Sequence, residues 1–212
     1  MASLVLNGST SGSVTLSSPA VSGTTTLTLP TTSGTVITTA TSQTLTSPVI
    51  AGTPTGVGVL TSGTSVSASG TSVDFTSIPS WAKRITVMFN SVSTNGASIP
   101  LIRLGTGGTP TTTGYVSSTT GTSTASAVTT STTGFIIYSN DAAYAPSGIY
   151  VFNLFSGNTW VGNGTIANSA SAAFTATSGG VVTLGGVLNM VRITTVNGTD
   201  TFDAGSINIL FE

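Results

Sequence analysis

Cysteine and histidine are both missing from this 212-residue chain, and only four Lys/Arg and five Asp/Glu residues carry charge. Without cysteine there is neither a disulfide nor a thiolate zinc site to support the fold. Without histidine, Ser/His triads, Cys/His dyads and imidazole metal cages are excluded. A net charge of −1, with basic residues only at Lys83, Arg84, Arg103 and Arg192, leaves no electrostatic footprint for nucleic acid or an anionic membrane. No apolar run approaches the about 18 residues that a membrane helix requires, so no membrane insertion is expected. The first residues lack the basic start and apolar core of a secretory signal, which predicts synthesis in a cytoplasm.

What is abundant is Ser, Thr and Gly around short apolar alternations. Hydrophobic residues make up 38% of the chain and charged residues 4%, the reverse of a disordered composition, so the chain is expected to fold. No charge occurs from Met1 to Val73, whereas every charge, both Trp, all four Tyr and all eight Phe lie from Asp74 onward. That shift divides the chain into residues 1–62 and 63–212.

In the first part, residues 12–19 (GSVTLSSP), 23–30 (GTTTLTLP) and 34–39 (GTVITT) resemble one another, and residues 43–50 (QTLTSPVI) loosely continue the series. Val14/Leu16 and Leu27/Leu29 alternate with hydroxyl residues, and Pro19 and Pro30 end the runs as residues that cannot donate to a strand ladder. Each short strand offers one or two apolar side chains, about 1.5–3 kcal/mol apiece when buried. Backbone ordering costs about 1–2 kcal/mol per residue. One copy is therefore marginal, and the balance favours an elongated, intertwined homotrimeric β-stalk that also serves for attachment. A flexible Ser/Thr linker is the alternative. Residues 51–70 read as a hinge or neck.

From residue 63 the pattern predicts an all-β domain, a sandwich or jelly-roll-like body. Its candidate strands are residues 72–76, 84–90, 100–104, 134–139, 148–155, 159–166, 172–177, 187–196 and 199–212. Asn197-Gly198 suggests a two-residue hairpin turn, in which Ile193 would face Phe202 and Arg192 would form a structural cross-strand pair with Asp203. The alternation of Ile207, Ile209 and Phe211 suggests a final strand built into a sheet or interface.

For chemistry, Asp200, Asp203 and Asp141 are the carboxylates a glycosidase would need, but they are scattered and lack an evident cleft. No catalytic residue, cofactor site or metal site is expected, and the chain is not read as an enzyme. Asn-Gly-Ser/Thr triplets at Asn7, Asn163 and Asn197 read as turn residues. Tyr115, Tyr138, Tyr144, Tyr150 and Trp160 fall in or beside expected loops and are candidate receptor contacts, whose rings would suit stacking on carbohydrate. The alternative is that Trp81 and Trp160 are core. The Ser/Thr-rich residues 115–133 read as a long loop.

Residues 6–30 (LNGSTSGSVTLSSPAVSGTTTLTLP) resemble a repeat common in bacteriophage tail fibre and related virion proteins. Residues 73–90 (VDFTSIPSWAKRITVMFN) and 191–211 (VRITTVNGTDTFDAGSINILF) resemble the C-terminal domains of the same proteins. The resemblance implies a homotrimeric structural protein of a tailed phage, a short tail fibre or receptor-binding protein located in the virion. It would attach to host surface carbohydrate or protein, and its N-terminal segment would dock on other virion proteins of the tail or head. A capsid head decoration or head fibre protein is the alternative, and a bacterial surface adhesin a third reading.

Overall fold

A computed structural model describes residues 3–7, 11, 13–17, 60–122, 127–168 and 173–212. They belong to two compact units, Met1–Ile50 and Ala51–Glu212. In the first unit, β1 (Ser3–Asn7) and β2 (Ser13–Ser17) pair antiparallel, with Leu4 opposite Leu16 and Leu6 opposite Val14. Strand β2 lies inside the first of the similar segments. The other three segments, and the stalk expected from them, lie outside the described residues.

The second unit contains β3 (Thr61–Ser62), β4 (Val66–Ser67), β5 (Ser72–Phe75), β6 (Arg84–Thr94), β7 (Pro100–Thr106), β8 (Thr109–Pro110) and β9 (Val116–Thr122). It continues with β10 (Ala127–Ser131), β11 (Phe135–Ile136), β12 (Ser147–Ser156), β13 (Thr159–Asn168), β14 (Phe174–Thr183), β15 (Leu188–Thr195) and β16 (Phe202–Phe211). Among the described residues there is no helix, so the all-β expectation holds. A nine-stranded antiparallel sheet runs β10-β9-β14-β13-β12-β6-β16-β3, with β4 also on β16. A five-stranded antiparallel sheet runs β11-β7-β15-β5, with β8 on β7.

Two strand pairs connect the sheets. Strands β6 and β16 pair in the larger sheet, and their continuations β7 and β15 pair in the smaller one. A two-stranded ribbon therefore turns from one sheet into the other. The corner is fixed by hydrogen bonds across it: Val196 N donates to Ile99 O at 2.9 Å, Asn95 N donates to Thr201 O at 2.9 Å, and Thr201 N donates to Asn95 Oδ1 at 2.8 Å.

The hairpin expected at Asn197-Gly198 is thereby corrected. Asn197 Oδ1 does organise a turn, accepting from Thr199 N at 3.0 Å and Asp200 N at 3.1 Å, and Gly198 takes φ 69°. The strands on either side, however, enter different sheets. Ile193 faces Ile102 and Val73 rather than Phe202. The short neck also needs revision, because Thr61, Ser62, Val66 and Ser67 pair with β16, and Ala68 is buried.

One buried cluster joins the two sheets. Phe135, on the small sheet, is fully buried and meets Phe152 of the large sheet at 4.8 Å, Tyr150 at 5.8 Å and Tyr115 at 5.3 Å between ring centroids. Ile85 and Val87 of β6, with Ile102, Leu104, Val191 and Ile193 of the small sheet, complete its aliphatic part. Tyr150 and Phe152 stand opposite Gly164 and Gly162 on β13. A Cβ on either glycine would lie 2.6 Å from the facing ring, so these strand glycines provide the space into which the aromatics lean.

Replacing Phe135 with Ala removes the ring that both sheets share and leaves a cavity. The expected loss is about 3–5 kcal/mol of unfolding free energy, read from urea denaturation of the full chain.

Candidate recognition surface

Four of the five aromatic residues taken as candidate receptor contacts are not placed on a surface. Tyr115, Tyr138, Tyr150 and Trp160 are buried, and Tyr144 is partly buried against the same core. Tyr138 and Tyr144 both pack on Phe174, at 5.1 and 5.0 Å. The Tyr115 hydroxyl accepts from Leu104 N at 2.9 Å and lies 3.1 Å from Thr111 O, so it pins the start of β9 to the small sheet. Burial pushes the Tyr115 phenol up to about 12, against the lowering effect of its Leu104 hydrogen bond, and burial also raises Tyr150.

The loop expected at residues 115–133 is also corrected. It forms β9 and β10, antiparallel partners at one end of the large sheet. Its inward positions are Tyr115, Ser117, Thr119 and Gly121, so hydroxyls rather than hydrocarbons face the interior and the apolar alternation is missing. Their polarity is satisfied: Ser117 Oγ accepts from Ile136 N at 3.0 Å, and Thr119 Oγ1 accepts from Ser178 Oγ at 2.8 Å.

The pair expected between Arg192 and Asp203 does not form, because β15 and β16 are not neighbours. Arg192 instead makes a two-point contact with Asp74 on β5, Nε to Oδ1 at 2.7 Å and NH2 to Oδ2 at 2.6 Å. The Asp74 hydrogen bond holds the guanidinium pKa further up. Asp203 accepts from Ser93 Oγ on β6. Asp200 is held at the ribbon corner by Asn197 Nδ2 at 2.6 Å and Ser98 N at 2.9 Å, which keeps its carboxyl below the ordinary range. Asp141 accepts from Ala143 N within its own turn. Each of these carboxylates is thus engaged locally, and they do not converge. Among the described residues no group of three or more His, Cys, Asp or Glu is placed to hold a metal ion.

Exposed aromatic surface occurs elsewhere. Phe155 is 75% exposed and Trp81 36%, and both lie within two residues of the Leu154 N to Lys83 O hydrogen bond of 2.8 Å. Phe155 sits where the β12–β13 register shifts, beside a turn containing Gly157 at φ 54°, and falls on the outward parity of β12, out of step with the buried Tyr150 and Phe152. Ser80, Lys83, Leu154, Asn158 and Val187 share the lining of one small cavity of about 60 Å³. The loops around residues 80–83, 154–158 and 184–188 therefore converge, held also by Leu184 N donating to Asn158 O at 3.0 Å. Val187, 58% exposed, adds an aliphatic group to this end. This end of the domain therefore carries the exposed Phe155, Val187 and Lys83 side chains and a partly exposed Trp81 whose ring packs on Phe211 at 5.7 Å between centroids, groups suited to apolar or ring-stacking contacts. With Tyr150 and Phe152 inward, the alternation of residues 148–155 already places Phe155 outward, the signal that could have found it.

Comparison of the chain with protein-family models, with curated proteins and with solved structures finds no match.

The buried phenols give a pH prediction. The fold favours neutral Tyr115, so its stabilising effect is complete below the ordinary phenol range near 10 and is lost as pH rises through about 12. Absorbance titration should show two of the four tyrosines ionising only with unfolding, and Tyr150→Phe should remove one of them from that late phase.

Proposed function

We propose that this chain is a homotrimeric structural protein of a tailed-phage virion, a short tail fibre or receptor-binding protein that attaches to the host surface without covalent chemistry. In this reading the repeated strands of residues 1–62 form the intertwined stalk and dock on other virion proteins. The two-sheet body is a sandwich or jelly-roll-like domain carried at its end.

The observation that carries the reading is a contrast within the second unit. Its carboxylates and buried phenols are engaged internally, while Phe155 at the end of β12 and Val187 are exposed and Trp81, packed on Phe211, is partly exposed. Such an arrangement suits recognition rather than turnover. Aromatic groups at the centre of a contact are the residues whose truncation most often costs 2 kcal/mol or more. A single small patch binds weakly, but three copies on one trimer raise avidity by about 10²–10⁴-fold when all can engage together. A sugar-bearing or protein receptor with apolar ring faces is the matching surface chemistry.

Purified full-length protein should bind host cells and lower infection by competing with the phage. The Trp81→Ala/Phe155→Ala double variant, still folded by circular dichroism, should compete at least about tenfold less well. Cryo-electron microscopy of the virion provides the second readout. Threefold projections at the tail are expected, whereas copies of the chain spread over the head lattice, with no competition, would replace attachment with capsid decoration.

A further inference from the structure

Charge is distributed unevenly over the two sheets. The small sheet carries Arg103, Arg192 and Asp74 side by side in one register row. In the large sheet, β9, β10, β12, β13 and β14 contain no charged residue at all. No charge occurs between Arg103 and Asp141, or between Asp141 and Arg192, so this is a property of whole segments and not of one strand.

The outward side chains of these strands form ordered rows. Val116, Val181 and Val161 stand in register across β9, β14 and β13. Beyond the row of Ser118, Gly179 and Asn163, the second outward row along, Thr120, Thr177 and Thr165, leads across to Ile149 on β12. Val116 is 70% exposed, Ile149 49% and Val161 42%, so a continuous aliphatic and hydroxyl face meets solvent in the single chain. Monomers that stay apart in solution ordinarily intersperse charges over such a face, and none is present.

We infer that the outward face of β9-β14-β13-β12 is where a second copy of this chain packs. The inference rests on the reading of the chain as a homo-oligomer and assigns the surface that its second unit uses. Size supports this occupant. Including β6, which carries a charge only at its first residue Arg84, and β10, the six strands of 5 to 11 residues, at about 3.4 Å per residue and about 4.8 Å spacing, span roughly 850 Å², against the about 800 Å² per partner of a stable specific interface. Neutrality supports it too, because a face without charge meets its own copy with no like-charge repulsion and no buried unpaired ion. Threonine hydroxyls in rows can exchange hydrogen bonds with an identical row, while the valines supply apolar contact.

The absence of native cysteine makes a direct test available. Thr165→Cys places a single thiol in the middle of the face, and Thr113→Cys places one in the exposed loop before β9 as a reference. In full-length protein whose mass is measured by sedimentation, the Thr165→Cys thiol should react with a maleimide at least tenfold more slowly than Thr113→Cys. Adding Val161→Lys, two outward rows away on the same strand, should restore fast reaction while circular dichroism stays unchanged. If the protein is assembled but both thiols react equally fast, this face is not the interface, although self-assembly stands. If the chain alone is monomeric and both thiols react equally fast, self-assembly and this surface both fall, and a different partner covers the face. Protection in a monomer would overturn the inference as well, because no second copy would be present to cause it.

Discussion

The fold depends on two strands changing sheets together. Strand β6 leads into β7 and β15 leads into β16, and each is the other's neighbour on both sides of the turn. Had only one strand turned, its partner's backbone groups would lose their ladder hydrogen bonds where the two sheets part. Turning as a ribbon keeps the ladder almost continuous and concentrates the irregularity in residues 95–99 and 196–201. Side chains that accept several bonds at once then close it: Asn95 takes Thr201 N, Asn197 takes Thr199 N and Asp200 N, and Asp200 takes Ser98 N. Asp200 makes this corner sensitive to acid. Its lowered carboxyl contributes stability above the ordinary carboxylate range and loses it as pH falls through the lowered value.

Because the ribbon commits four strands to facing positions, the interior between them must be filled from both sides, and Phe135 is where the filling meets. It sits on a two-residue strand, β11, that contributes little ladder of its own. Contact with Phe152, Tyr150 and Tyr115 is what holds it there. Those rings in turn occupy space over Gly162 and Gly164 that any side chain on β13 would fill. Large residues on β12 and absent ones on β13 are two halves of one packing solution, which gives native density without a bulky residue at every inward position.

The strands were legible wherever inward positions were hydrocarbon. Residues 84–90, 100–104, 148–155 and 159–166 coincide with β6, β7, β12 and β13, where Ile85/Val87, Ile102/Leu104, Tyr150/Phe152 and Trp160/Ile166 put apolar side chains at inward positions. Strand β9 was illegible for the converse reason: Ser117 and Thr119 face inward, and their burial depends on acceptors and donors supplied from Ile136, Thr177 and Ser178. Local sequence does not encode partners that lie 19 to 59 residues away. The same limit governed Arg192. Proximity through Asn197-Gly198 pointed to Asp203, but strand order decides which carboxylate is opposite, and strand order placed Asp74 there. For the recognition surface, counting aromatics was misleading. Tyr115, Tyr138, Tyr150 and Trp160 went to the interior, since a ring worth several kcal/mol of burial is retained in the core wherever the strand alternation lets it turn inward. Phe155 remained outside because it falls on the outward parity of β12, out of step with Tyr150 and Phe152.

Polarity without charge underlies both the legible and the illegible parts. Threonine satisfies a pleated, half-exposed surface and tolerates burial when a partner oxygen or N–H is near, so it can occupy either face of a strand. A chain built largely of Ser, Thr and Gly can therefore make wide sheets without declaring which side is inside. It also leaves those sheets without the charges that keep neutral surfaces and strand edges apart. In the large sheet this freedom has a direction. All charges of the second unit lie at its loops, on the small sheet or on the β6–β16 side, and none on the strands from β9 through β14 except the turn at Asp141 between them. A sequence that places Arg103, Arg192 and Asp74 in one exposed row has no general constraint against charge in strands. Its exclusion from the neighbouring sheet is a local property of that face, which is what a surface covered by a chain of the same composition requires.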